Sequence, residues 1–143
     1  MTKLEHANIT VPSIDAAIDF FKIVAPDFNV RADKYNVKGE YRWAHVGNND
    51  NYIALQEASQ KQQPQDNRTP YFDYGVNHLA LTVSDIDGIC AALLKREYIR
   101  NGELSDEITR KRVYFFDKAG FEWELVEYLT QDPKQRYRYD EQA

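Results

Sequence analysis

The sequence predicts an α+β fold made of two tandem βαβββ modules. Three observations lead there: an internal repeat, a strand-then-helix pattern opening each copy, and β-rich segments after each helix. The repeat is direct. His6-Ala-Asn-Ile-Thr-Val-Pro-Ser-Ile-Asp15 returns as His78-Leu-Ala-Leu-Thr-Val-Ser-Asp-Ile-Asp87, with His, Thr, Val, Ile and Asp in register at an offset of 72 residues. Self-similarity of this kind marks a duplicated structural unit.

Each copy opens with a strand and continues as a helix. In the first, Ser13 is a good N-cap, and Ile14, Ala17, Ile18 and Phe21 follow helical spacing until Pro26 helps to stop the helix. In the second, Ser84 or Asp85 caps a stripe of Ile86, Ile89, Cys90, Leu93 and Leu94. Strands are predicted near 30–35, 41–46 and 52–56, and again near 99–103, 111–116 and 121–128. Asn48-Asn49-Asp50 and Lys118-Ala119-Gly120 read as hairpin turns. Module one is thus expected over 1–58, a linker over 59–72 centred on the polar, breaker-rich run Gln60–Pro70, and module two over 73–130. The charged, Tyr-dotted tail 131–143 has no clear period and reads as frayed.

Bulk properties narrow the function classes. The 143 residues suit one compact domain, and 43% hydrophobic with 13% aromatic residues is a globular composition. A net charge of −5 without a basic tract argues against nucleic acid as a partner, since phosphate binding needs a concentrated positive face. The single cysteine, Cys90, rules out an internal disulfide framework and suits a reducing compartment. The N-terminus carries no apolar signal core and no stretch is long enough to span a bilayer, so no membrane partner and a cytoplasmic location are expected.

Strand alternation sorts side chains by face. Ala7, Ile9 and Val11, like Leu79, Leu81 and Val83, form apolar faces that pack under the helices. His6, Asn8 and Thr10, and His78, Ala80 and Thr82, point away. In the last strands Trp123 and Leu125 are apolar, leaving Glu122, Glu124 and Val126 opposite them. Tyr52, Ala54 and Gln56 hold the matching face in copy one, with Ala54 paired to Glu124 at an offset of 70. His6, His78 and Glu124 therefore lie on helix-averted faces, which line a shared cleft if the strands curl together. Two neutral imidazoles and a carboxylate suit a divalent metal such as Fe, Mn or Zn and leave positions open for water or substrate. A lone strand histidine is most often structural, but the repeated pair with a glutamate of matching parity favours the metal. His45, paired to Phe115 by the repeat, falls with Trp43 and Val113 on the helix side and reads as structural. By the same parity Arg42, Arg112 and Tyr114 face the cleft, where two arginines could hold an anionic group bidentately. Solvated strand-end arginines are the equally weighted alternative.

Three segments together resemble the vicinal oxygen chelate superfamily, which spans glyoxalase I, extradiol dioxygenases, fosfomycin-resistance transferases and bleomycin-resistance proteins. They are Leu4-Glu-His-Ala-Asn-Ile-Thr-Val11, Val76-Asn-His-Leu-Ala-Leu-Thr-Val83 and Tyr114-Phe-Phe-Asp-Lys-Ala-Gly-Phe-Glu-Trp-Glu-Leu125. The resemblance covers roughly Lys3 to Leu129. It implies a curved eight-stranded mixed sheet, a partial barrel around a cleft with helices outside. It places the metal ligands on His6, His78 and Glu124, the metal being Fe, Mn, Zn or Ni. Where glyoxalase I carries a fourth ligand that is also its base, this chain has Ala54, so a dioxygenase-like or transferase-like reaction is expected over glyoxalase I. Tyr114 matches a pocket tyrosine, and Gln56, two residues beyond Ala54, is a weak catalytic candidate. Arg42, Arg112, Asn8 and Tyr52 are the expected substrate-binding residues.

The implied protein is a metal-dependent enzyme in which the metal chelates vicinal oxygens of a small-molecule substrate. A homodimer is expected, because many relatives build each cleft from two chains. The rival is a metal-free protein of the bleomycin-resistance type that binds and sequesters a small molecule; Tyr52, Tyr114 and Glu122 fit it, and the intact ligand set argues against it.

Overall fold

The computed structural model describes residues 1–59 and 68–139; most of the expected linker, 60–67, and the end of the tail, 140–143, lie outside these. Two compact units divide the chain, Met1–Gly75 with Lys118–Phe121 and Val76–Asp117 with Glu122–Ala143. The predicted α+β class and the βαβββ order of each copy are present.

Unit one carries β1 (His6–Thr10), α1 (Ile14–Val24), β2 (Asn29–Tyr35), β3 (Arg42–Gly47) and β4 (Tyr52–Gln56). Its four-stranded sheet runs β1-β4-β3-β2, with β1 parallel to β4 and the other pairs antiparallel. Helix α1 starts where expected: the Ser13 hydroxyl accepts from the Ala16 amide at 3.1 Å. Ile14, Ala17, Phe20, Phe21 and Val24 are buried along one stripe, facing a core of Ile9, Val11, Ala44, Val46, Ile53 and Leu55.

Unit two carries β5 (Leu79–Thr82), α2 (Ile86–Lys95), β6 (Ile99–Arg100), β7 (Ser105–Asp106), β8 (Arg110–Phe116), β9 (Glu122–Tyr128) and the short α3 (Pro133–Arg136). The sheet runs β5-β9-β8-β6, with β7 also on β8, and β5 is parallel to β9. Asp85, at φ +57°, caps α2 by accepting from the Gly88 amide at 3.1 Å. A Cβ at Gly88 would stand 2.2 Å from the Asp85 carboxylate, so glycine keeps that cap open. Ile86, Cys90 and Leu93 meet a core that includes Val113, Phe115, Trp123 and Leu125, all without exposed surface.

Both helices share a second device. Glu57 accepts from the Ile14 amide at 3.0 Å, and its repeat equivalent Glu127 accepts from the Asp85 and Ile86 amides at 3.2 and 2.9 Å. Each carboxylate sits where the helix dipole and unpaired amides favour negative charge.

Three elements depart from the sequence expectation. The strand expected near 99–103 stops after β6, with Gly102 at φ +83°, and β7 begins beyond it. The tail is not frayed where it is described: Asp132 caps α3, and the Arg136 guanidinium lies 4.2 Å from the Tyr128 ring. The third departure is in β3. Its register places His45 opposite Ala54 and Trp43 opposite Gln56, whereas in the other unit Tyr114 stands opposite Glu124. His45 is therefore the equivalent of Tyr114, not Phe115. The β3–β4 loop (48–51) is one residue shorter than the β8–β9 loop (117–121), and one residue exchanges every face of a strand. The tight loop depends on Gly47, where a Cβ would stand 2.2 Å from the Asn51 carbonyl oxygen.

Candidate metal and substrate site

In unit two the helix-averted face gathers four of the expected residues. His78 stands one position before the Leu79–Trp123 pair at the head of β5, and Ala80 lies opposite Glu124. The His78 imidazole has a carboxylate near each ring nitrogen. Its Nε2 comes within 2.9 Å of Glu124 Oε2, and its Nδ1 within 3.4 Å of Glu122 Oε1. Tyr114 stands opposite Glu124 in register, and its ring meets the His78 ring edge-on with centroids 5.2 Å apart. Burial, then the Glu124 carboxylate, push the Tyr114 phenol above its ordinary range, so it keeps its proton at neutral pH. Arg112 shares this face, with Nη1 4.0 Å from Glu124 Oε1, but its main partner is Glu107, to which both Nε and Nη2 donate.

In unit one, His6, Asn8, Tyr52, Ala54 and Gln56 share the helix-averted face, as expected from alternation. His6 stacks on Tyr52 with centroids 4.8 Å apart and planes 17° from parallel, and its Nδ1 pairs with the Glu5 carboxylate. His45 and Trp43 join them. The His45 ring is 4.9 Å from both Tyr52 and Trp43, and the Arg31 guanidinium lies over Tyr52 at 4.9 Å. Desolvation and Glu5 hold the Tyr52 phenol above its ordinary value.

Arg42 does not share that face. It points to the α1 side, where Asp33 takes two hydrogen bonds at 2.8 and 2.7 Å, Asp15 one at 2.9 Å, and Glu57 lies 3.8 Å away. Hydrogen bonds to the Asp33 and Asp15 carboxylates hold its pKa further above the ordinary arginine value. With three carboxylates around it, this guanidinium is directed away from the face of His6 and Tyr52. The same one-residue shift that turns His45 toward His6 turns Arg42 away.

The sequence places Glu122 on the face of Glu124 and gives it a role only in the metal-free reading. Asn101, which donates to Glu122 Oε2 at 2.6 Å, had no sequence signal at all, because it arrives from the loop after β6. Among the described residues, no group of three or more His, Cys, Asp or Glu side chains is set to hold a metal ion. The chemistry of the adjacent pair nevertheless fits a divalent cation: an imidazole nitrogen and a carboxylate oxygen, close together on a largely buried face.

The chain belongs to the Glyoxalase/Bleomycin resistance protein/Dioxygenase superfamily, whose family model matches residues 3–125. Among solved structures it resembles a glyoxalase family protein from Bacillus cereus, at 25% identity and a TM-score of 0.73, covering 91% of this chain and 96% of that one. It also resembles the fosfomycin resistance protein FosX from Listeria monocytogenes, solved with Mn(II) and sulfate, at 12% identity, a TM-score of 0.65 and coverage of 96% and 99%. The trypanothione-dependent glyoxalase I of Leishmania major matches at 16% identity, a TM-score of 0.64 and coverage of 89% and 87%. No curated protein matches the chain. No helix among the described residues is long and apolar enough to cross a membrane.

Proposed function

We propose that the protein is a metal-dependent enzyme acting on a small oxygenated molecule, with His78, Glu124 and His6 as ligands to a divalent cation. The observation that carries this reading is the 2.9 Å approach of His78 Nε2 to Glu124 Oε2. Two donors each about 2.1 Å from one cation and at right angles stand about 3 Å apart, so this pair has the spacing of neighbouring ligands. His6 is the repeat equivalent of His78 and supplies the second imidazole. The Mn(II) of the Listeria relative supports a metal of this class, with Fe, Zn and Ni as the other candidates.

When bound, such a cation supplies Lewis acidity toward two vicinal substrate oxygens. The chain's own residues do the rest. Tyr114, protonated at neutral pH, donates a hydrogen bond or a proton from its hydroxyl. Arg112 sets the charge of the Glu124 face and meets an anionic substrate group there. Asn8 and Gln56, on the face of His6, orient substrate or water. Ala54 neither binds a cation nor moves a proton, which favours dioxygenase-like or transferase-like chemistry over that of glyoxalase I. The working form in this reading is a cytoplasmic homodimer; the exposed Phe72 and Tyr74 side chains support a partner surface.

The row of His6, Tyr52, His45 and Trp43 rings favours a second reading, a metal-free protein that binds a planar small molecule by stacking. Elemental mass spectrometry of the untagged protein separates the two. The expected result is near-stoichiometric divalent metal, lost in His78→Ala and in Glu124→Ala. Wild-type protein that stays empty after reconstitution with Fe, Mn, Zn and Ni overturns the enzyme reading and leaves the stacking one.

A further inference from the structure

We infer that unit two carries an oxyanion site beside Tyr128, where the Arg110 and Arg136 guanidiniums hold a carboxylate or phosphate group of a small molecule under the tail 132–139. The inference does not depend on a metal at His78 and Glu124. Arg110 stands four residues before Tyr114 on β8, roughly 13 Å away along the strand.

A guanidinium carries only donors, and when it is buried those donors need acceptors. The Arg110 side chain is 6% exposed. Its Nε donates to Glu107 at 2.5 Å, and the Tyr128 hydroxyl is a second polar neighbour. Its Nη2 is buried and meets no acceptor, and the same holds for the buried Nε of Arg136. Both groups border one ring. Tyr128 pairs with Arg110 in the β8–β9 register, and the Arg136 guanidinium lies 4.2 Å from the Tyr128 centroid. Thr109 Oγ1 is also buried without a partner, but strand alternation turns it to the opposite face.

Charge points the same way. Arg110, Arg112 and Arg136 concentrate positive charge here in a chain whose net charge is −5. Glu107 pairs with the first two, and Arg112 adds a 4.0 Å approach to Glu124. Arg136 has no carboxylate partner among the described residues. An oxyanion bridging Arg110 and Arg136 takes both orphaned donors and offsets the repulsion between the two cations.

The tail is held loosely enough to admit such a group. Helix α3 is a single turn with no buried residue, and among the described residues the backbone hydrogen bonds of 132–138 close within the tail itself. What covers Arg110 is the Tyr139 ring, 5.3 Å from the guanidinium and 62% exposed. A ring face attracts the cation but gives its N–H groups no lone pair, so Tyr139 yields to an oxyanion. Arg136 then closes on the anion from α3.

The experiment is an NMR titration of the full chain at constant ionic strength, with phosphate and acetate as separate probes exchanged against chloride. Expected are saturable shifts of the Arg110 and Arg136 Nε–H cross-peaks with at least one probe. A response to phosphate alone assigns a phosphoryl ligand, and a response to acetate alone a carboxylate. Read at Arg110, Arg136→Gln should weaken binding about 10–100-fold, the loss expected for a hydrogen bond between charged groups. Tyr139→Ala should strengthen binding about 2–5-fold, because the cation–π contact no longer opposes entry. Cross-peaks unmoved by both probes overturn the inference, as does unchanged affinity in Arg136→Gln. Weaker binding in Tyr139→Ala overturns the role of the tail as a cover.

Discussion

Arg42 holds three carboxylates that would otherwise repel one another: Asp33, Asp15 and Glu57. Hydrogen bonds from its guanidinium hold the Asp33 and Asp15 carboxyls below their ordinary range. Carboxylates with lowered folded-state pKa values add stability that is present above the unfolded value, near pH 4, and is lost as pH falls through the folded values. Arg42→Met is therefore expected to lower unfolding free energy at pH 7 by about 1–2 kcal/mol, a figure kept small because Asp15 is largely exposed. The gap to wild type should narrow by pH 2.5, as the carboxylates take up protons. Urea midpoints at the two pH values check this, and a gap of equal size at both would remove the electrostatic explanation. Arg42, expected at a substrate cleft, thus lies on the α1 side among three carboxylates. Its neighbour His45, read as structural, lies on the face of His6.

The two modules start their helices in parallel ways, and the parallel is quantitative. Glu127 accepts from two amides at the start of α2, whereas Glu57 accepts from one at the start of α1. Glu127→Ala should destabilise the protein by about 1–2 kcal/mol and Glu57→Ala by about 1 kcal/mol on the α1 side. Hydrogen exchange at Ile86 and Ile14 reads each effect locally; unaltered protection at Ile86 in Glu127→Ala would sink the assignment. Element existence was legible because the repeat and the caps Ser13 and Asp85 are local in sequence. Faces were legible in β1, β4, β5 and β9, where alternation runs against a helix-covered core. They were not legible in β3, whose pattern Arg-Trp-Ala-His-Val reads either way: Trp43 and His45 look as suited to a core as Ala44 and Val46. Only the length of the loop beyond Gly47 decides it. Asn101 was invisible for a related reason, since its partner is 21 residues away and set by the β6–β8 pairing.

At the scale of the whole chain, the duplicated units have diverged most in what they add. Unit two ends in a tail that stacks back on its own sheet, with Arg136 over Tyr128, Tyr137 edge-on to Tyr128 at 5.9 Å, and Arg110 5.3 Å from the Tyr139 ring. Two cation–π contacts of this kind contribute about 0.5–1 kcal/mol each. Removing residues 131–143 should lower Tm by roughly 3–8 °C while the fold survives, as measured by calorimetry. An unchanged Tm would mean the stacking contributes nothing. The one-residue difference between the two hairpin loops has a consequence for how such a protein can diversify. A point substitution changes one side chain, but a single-codon insertion or deletion between Gly47 and Tyr52 inverts the whole of β3, trading the row of Trp43 and His45 for that of Arg42, Ala44 and Val46. Ancestry by duplication gives the chain two such hairpins to vary separately, so a new surface chemistry in one module can be sampled in one genetic step while the other module keeps the old.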